Sequence, residues 1–340
     1  MKVQDFNLLA IIFIYFVTSL ISILFINYIA KKFAIYDYPS KDKIHSFKVT
    51  NVSGVALIPI IILSLILFDY EEKLSYGLSL CIFFIIIGLL DDINKFSASS
   101  KITLIVIPCY FFTQEIGMIN SLGIYLGKEI FLNSLNFIFT FLCLLLLINA
   151  FNYIDGLDGL ISTISVITIL FYLIILPLSE IYYFLPILIF IIVYFILNMK
   201  IFSFLPKVFM GDAGSLTIGF IFSFITIYYS QYKVFIHPSV LIWPIAFVVY
   251  EFLTINLIRL SLKKNIFKRD LLFIFNLLQK SYGQKKTLLL CSGLQILFCS
   301  IGLLTNYYKT YISSIFLFII FFIVYLRLRF IQNSKNNEKK

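Results

Sequence analysis

Charge is scarce in this chain, and histidine scarcer still. Only 13% of the 340 residues are Asp, Glu, Lys or Arg, and the histidines are two, His45 and His237. A soluble domain carries about 25% charged residues; with 61% hydrophobic residues and a mean hydropathy of +1.00, a soluble globular class is excluded. The five cysteines (Cys81, Cys109, Cys143, Cys291, Cys299) lie scattered in apolar runs, with no CxxC pair and no Cys/His set. They read as small core residues, which excludes a disulfide framework and a zinc site. The apolar stretch from Phe6 to Ile29 is too long for a signal-peptide core and no small-residue cleavage site follows it, so it reads as a first membrane helix. No internal repeat of the transporter kind is visible.

What is there is a succession of apolar runs. On a requirement of about 20 residues per crossing, the sequence predicts an all-α integral membrane protein, a polytopic helical bundle of eleven spans. These fall at roughly 6–29, 53–68, 76–90, 102–118, 131–148, 159–178, 181–198, 213–229, 234–257, 287–304 and 311–331. Residues 1–331 then form a single transmembrane catalytic domain, and 332–340 a polar, frayed cytoplasmic tail. Placing the amino terminus outside puts 22 of the 27 basic residues on the inner face, which sets the orientation and leaves the carboxyl terminus in the cytoplasm. The net charge of +10 is mostly that face; it suits anionic membrane lipids and anionic substrates and calls for no nucleic acid.

The polar stretches between runs converge on the same side. Asp91-Asp92 follows the third run, and Lys101 opens the fourth. Asn149-Ala-Phe-Asn-Tyr-Ile-Asp-Gly-Leu-Asp158 joins the fifth and sixth, and Pro206-Lys-Val-Phe-Met-Gly-Asp212-Ala-Gly-Ser215 the seventh and eighth. Orientation was set from Lys and Arg alone, so the gathering of Asp91, Asp92, Asp155, Asp158 and Asp212 is an independent sign. Polar groups this close to membrane depth persist where they line a wet, working cavity. Clustered Asp and Asn without Cys form a hard-oxygen set suited to Mg²⁺, or to Mn²⁺, and the neighbouring Lys95, Lys101 and Lys207 suit phosphate. The combination predicts metal-assisted phosphoryl transfer. His45 is either a phosphate contact or a solvated loop residue, and Glu251 either a member of a polar network or a helix-end charge.

Asn149–Leu160 and Phe209-Met-Gly-Asp-Ala-Gly-Ser-Leu216 resemble the signature loops of the polyprenyl-phosphate N-acetylhexosamine-1-phosphate transferases, the undecaprenyl-phosphate branch of glycosyltransferase family 4. Leu89-Leu-Asp-Asp92 with Lys101, and Tyr36 to His45, resemble that family's double-aspartate and first cytoplasmic loops; the likeness runs from about residue 30 to 260. The resemblance implies transfer of a sugar-1-phosphate from a UDP-sugar to undecaprenyl phosphate at the cytoplasmic face of the inner membrane. Products would be undecaprenyl-diphosphate-sugar and UMP, with Mg²⁺ required. It casts Asp91, Asp92 and Asp155 as catalytic and Asp212 with Asp155 as metal ligands. Asn149, Asn152, Asp158, Lys101, Lys207 and His45 become substrate contacts. Monomer and homodimer both remain open.

Two stretches depart from the family pattern. Thr50-Asn-Val-Ser-Gly54 stands where a Pro-Arg-x-Gly-Gly is usual, and Lys268–Asn276 lacks the histidines of the last large loop. The second departure points toward an initiator of a cell-surface polysaccharide rather than a peptidoglycan enzyme. Competing readings are a secondary transporter, which would spread its acids through the depth of several spans, and a family member that has lost activity.

Overall fold

The computed structural model describes residues 7–39, 47–265 and 271–337, with the side chains of 334–337 left aside. His45, Lys268 and Arg269 lie outside the described residues. The helices are α1 (Leu8–Lys32), α2 (Leu57–Leu67), α3 (Glu72–Asn94), α4 (Ala98–Glu115), α5 (Asn136–Ile154), α6 (Leu160–Ile175), α7 (Leu178–Asn198), α8 (Gly211–Ile227), α9 (Pro238–Leu241), α10 (Ala246–Ser261), α11 (Ile274–Tyr307) and α12 (Tyr311–Asn337). Among the described residues eight helical stretches are long and apolar enough to cross a membrane, and Ser53–Leu67 and Leu160–Ile175 are shorter apolar helices. Helix thus stands at each of the eleven apolar runs.

Local chemistry explains the ends. Asn7 caps α1, its side chain accepting from Leu9 N at 3.1 Å, and Lys31 and Lys32 meet the negative end of the helix dipole. Lys95 leaves α3 in the left-handed region (φ 53°), and Ser97 caps α4 by accepting from Ser100 N. Pro108 does not end the fourth run: α4 continues through it. The bundle is otherwise trimmed by two small antiparallel hairpins that the apolar pattern did not announce, β1 (Tyr36–Asp37) with β2 (Val49–Thr50), and β3 (Ser121–Tyr125) with β4 (Lys128–Phe131). Leu126 and Gly127 both carry positive φ at the turn of the second, as a tight hairpin requires.

The core is organised around α8. Of its membrane-length window 89% is buried, against 11% for α12, so α8 is the axis and α12 a lipid-facing strut. It packs chiefly on α3 and α5. Small residues permit the approach: a Cβ at Gly88 would lie 2.3 Å from the Ala213 backbone of α8, and one at Gly219 2.8 Å from Ile148 Cα of α5. This close packing carries the ends of α3, α5 and α8 to one place.

Two differences from the apolar pattern shape that place. α11 begins at Ile274, well before the run at 287–304, and breaks at Gly283 (φ 75°, ψ 170°). Its first segment is a separate piece of helix whose residues line the cavity described below. At the carboxyl end, α12 continues helically to Asn337, into the stretch expected to fray.

Candidate active site

Where α3, α5 and α8 converge, the structure has a cavity of about 890 Å³. Asp91, Lys101, Asn149, Asn152, Asp155, Asp158, Lys207 and Asp212 all line it. Eight of the ten residues singled out in the sequence therefore meet in one space. Of the other two, His45 is undescribed, and Asp92 lies behind the wall.

The neighbouring carboxylates of the third helix have different surroundings. Asp91 closes the α3–α4 turn, its Oδ1 accepting from Phe96 N at 2.7 Å, and turns Oδ2 toward Lys101 Nζ at 3.1 Å. Asp92 accepts from Asp212 N (3.1 Å), Ala213 N (3.2 Å) and Asn51 Nδ2 (2.9 Å). It therefore satisfies the orphan N–H groups at the start of α8, where the helix dipole also favours an anion. Gly211 makes the contact feasible: its φ is +73°, and a Cβ there would lie 2.1 Å from Asn51 O and 2.5 Å from Asp92 Oδ2.

Asp212 stands in the first turn of α8, facing inward. Lys101 pairs with its Oδ2, and Asn152 Nδ2 donates to its Oδ1 at 3.0 Å and to Ser215 Oγ at 2.8 Å. Asn152 Oδ1 is left facing Lys101 Nζ at 3.4 Å. The hard-oxygen set and its lysine are thus one cluster. Asp155, at the carboxyl end of α5, lines the cavity without joining Asp91 and Asp212 in a group. Among the described residues no three or more of His, Cys, Asp and Glu are placed to hold a metal ion together. The geometry fits an ion that takes one or two protein carboxylates and completes its shell with water and phosphate, as Mg²⁺ does.

On the opposite wall Lys207 pairs with Asp158 at 2.5 Å, and Gln284 Nε2 donates to the same Asp158 oxygen at 3.2 Å. The Lys207 ammonium also lies 5.2 Å from the Phe47 ring centre and 5.5 Å from that of Phe209. Asn149 bonds back to Leu145 O at 2.7 Å.

Several working residues escaped the sequence reading. Asn198, inside the seventh apolar run, accepts from Gly159 N (2.7 Å) and donates to Val208 O (2.9 Å), stitching the two signature loops together. A buried amide in an apolar run was the available signal. Asn51 falls in the stretch that departs from the family pattern, yet it orients Asp92. Arg259, counted only for topology, is buried at 1% exposure, lines the cavity and lies 5.5 Å from the Tyr153 ring centre and 5.4 Å from that of Phe273. Glu251 is a network member: it accepts from Ile274 N (2.7 Å) and Tyr325 Oη (2.5 Å) and pairs with buried Arg329 (3.2 Å). That network pins the entry of α11 beside the cavity.

Residues 74–230 match the family model described as glycosyl transferase family 4. No curated protein matches the chain. The matched segment runs from α3 through α8 and holds Asp91, Asp92, Lys101, the Asn149–Asp158 turn, Lys207 and Asp212. Its cavity is completed from outside the segment by Asn51, Arg259, Asn276 and Gln284. The match and the membrane-length helices together fit a membrane-embedded transferase.

Proposed function

We propose that the protein transfers a sugar-1-phosphate from a UDP-sugar, of the UDP-N-acetylhexosamine class, to undecaprenyl phosphate. The products are undecaprenyl-diphosphate-sugar and UMP, the first step of a cell-surface polysaccharide. The reaction takes place at the cytoplasmic face of the inner membrane, in a bundle of eleven spans with its amino terminus outside. The observation that carries this reading is the make-up of one cavity. Its lining combines the acids Asp91 and Asp212, the cations Lys101, Lys207 and Arg259, and the apolar side chains Ile102, Leu142, Leu145 and Leu146. A charged pole for a diphosphate beside an apolar wall for a prenyl chain suits a reaction between a nucleotide sugar and a lipid phosphate. A transporter has no use for that combination at one end of the bundle.

The mechanism follows from the surroundings of each group. Asp92 holds the first turn of α8 in place, so that Asp212 presents its carboxylate inward. Mg²⁺ held by Asp212, with Asp91 at hand, would neutralise charge on the phosphates. Arg259 and Lys207 orient phosphate oxygens, and the Asn149–Asp158 turn forms the floor under the donor. The acceptor phosphate is largely a dianion at neutral pH, by analogy with phosphorylated side chains of second pKa about 6. It therefore attacks the sugar-linked phosphorus directly, with UMP leaving in line. Asp91, whose Oδ2 faces the cavity, is the acid placed to take a residual proton.

Purified protein incubated with UDP-N-acetylhexosamines and undecaprenyl phosphate should release UMP and form the lipid-linked sugar, and EDTA should stop it. Asp212→Asn should lower turnover by a factor on the order of 10³ while leaving the melting temperature close to wild type. Unchanged turnover in EDTA removes the metal from the mechanism. Exchange of labelled UMP into UDP-sugar by lipid-free enzyme would replace direct attack with a covalent aspartyl intermediate.

A further inference from the structure

Lys101 has surroundings unlike those of the other cavity cations. Its Nζ pairs with Asp212 Oδ2, lies 3.1 Å from Asp91 Oδ2 and 3.4 Å from Asn152 Oδ1. The Asn152 amide is not free to turn its oxygen elsewhere, because its Nδ2 already donates to Asp212 Oδ1 and Ser215 Oγ. Three oxygens from α3, α5 and α8 thus converge on a single cationic nitrogen. These are the hard donors a divalent cation takes, carboxylate and amide carbonyl, gathered around an ammonium. Side-chain exposure is 13% for Lys101, 12% for Asp91 and 29% for Asp212, so the cluster is partly buried and is not a solvated surface contact.

Helix chemistry sharpens the point. Lys101 ends the first turn of α4, where the dipole disfavours a positive charge, and α4 has no acid of its own in that turn. The lysine is kept there by Asp91 and Asp212. Those two carboxylates, brought together by the close packing of α3 on α8, would repel each other without a cation between them.

We propose that Lys101 is a built-in counter-cation, a tethered occupant of the divalent-metal position that metal binding displaces. This rests on the metal reading given above. In the metal-free protein the ammonium neutralises Asp91 and Asp212 where the ends of α3 and α8 meet. A divalent ion and the ammonium cannot both sit among the same three oxygens, since like charges a few ångströms apart in a partly buried site repel strongly. On metal entry the ammonium leaves on its flexible stem and remains in the cavity that it lines, available to a phosphate oxygen. Charge is thereby exchanged rather than accumulated, and the full cation set is assembled only when metal is present.

The test is Mn²⁺ binding to the purified full chain, read by electron paramagnetic resonance without substrates. Lys101→Gln, which removes the competing charge, should bind Mn²⁺ roughly tenfold tighter than wild type or better, and Lys101→Arg should stay near wild type. Asp212→Asn should lose the site. Equal or weaker binding by Lys101→Gln, with a site still lost in Asp212→Asn, overturns the exchange and leaves the metal reading standing. No Mn²⁺ binding by any of the proteins overturns both. A wild-type measurement guards against a variant that does not fold: amine-labelling of Lys101, quantified by mass spectrometry, should rise severalfold on adding Mg²⁺ while exposed Lys200 is unchanged. Labelling of Lys101 that stays level or falls overturns the proposal.

Discussion

Asp91 and Asp92 are adjacent in sequence and placed for different tasks. Successive residues of a helix project about 100° apart, so one faces the cavity while the other meets the start of α8. Removing the charge should therefore separate chemistry from architecture. Asp91→Asn keeps an acceptor for Phe96 N and should hold its melting temperature while losing most of its turnover. Asp92→Asn has one acceptor oxygen where the native carboxylate meets three N–H donors. It should lose about 1–2 kcal/mol of stability, the usual value of a helix cap, together with activity. Thermal melting in detergent alongside a UMP-release assay checks both. Equal melting temperatures for the two variants would remove the anchoring role from Asp92.

At the scale of elements, the start of α8 is the joint on which the site depends. Gly211→Ala puts a Cβ into the Asn51 carbonyl at a residue with φ +73°, so the strand-like contact between Thr50 and Val208 and the Asp92 cap should both loosen. A loss on the order of 2–4 kcal/mol is expected from the strained backbone and the overlap together, read as a lower melting temperature. At the far end of α5 the β3–β4 hairpin is tied down by His237. The ring stacks on Tyr311 (3.9 Å between centres), its Nδ1 accepts from Ser239 N to cap α9, and Nε2 lies 3.2 Å from Ile124 O.

For the whole molecule the decisive quantity is orientation. A cysteine at Asn94 or Ser203, introduced into a cysteine-free background, should react with impermeant thiol reagents only after the membrane is opened. One at Lys128, on the exposed β4 edge, should react in intact cells whose outer barriers admit the reagent. Reversed labelling would place the cavity away from cytosolic nucleotide sugars and overturn the proposed reaction. The lipid-facing surface of α1 and α12, mostly unburied Phe, Ile and Leu, is what a bilayer would cover.

Class, helix positions and the gathering of acids at one side were legible in the amino-acid sequence alone, because hydrophobic burial and the cost of charge in lipid act on residue type and run length. The residues that carry the resemblance lie in the same short polar turns. What each of those residues does was decided by tertiary structure. Whether Asp91 or Asp92 faces the cavity depends on how α3 meets α8, which Gly88 and Gly211 set by close approach. The roles of Asn198 and Glu251 depend on partners 10 and 78 residues away, Val208 and Arg329. The helical entry of α11 is held by the Glu251 carboxylate and not by its own apolar periodicity. Lys101 reads in sequence as a phosphate contact at a helix start; only the convergence of three helices surrounds it with three oxygens.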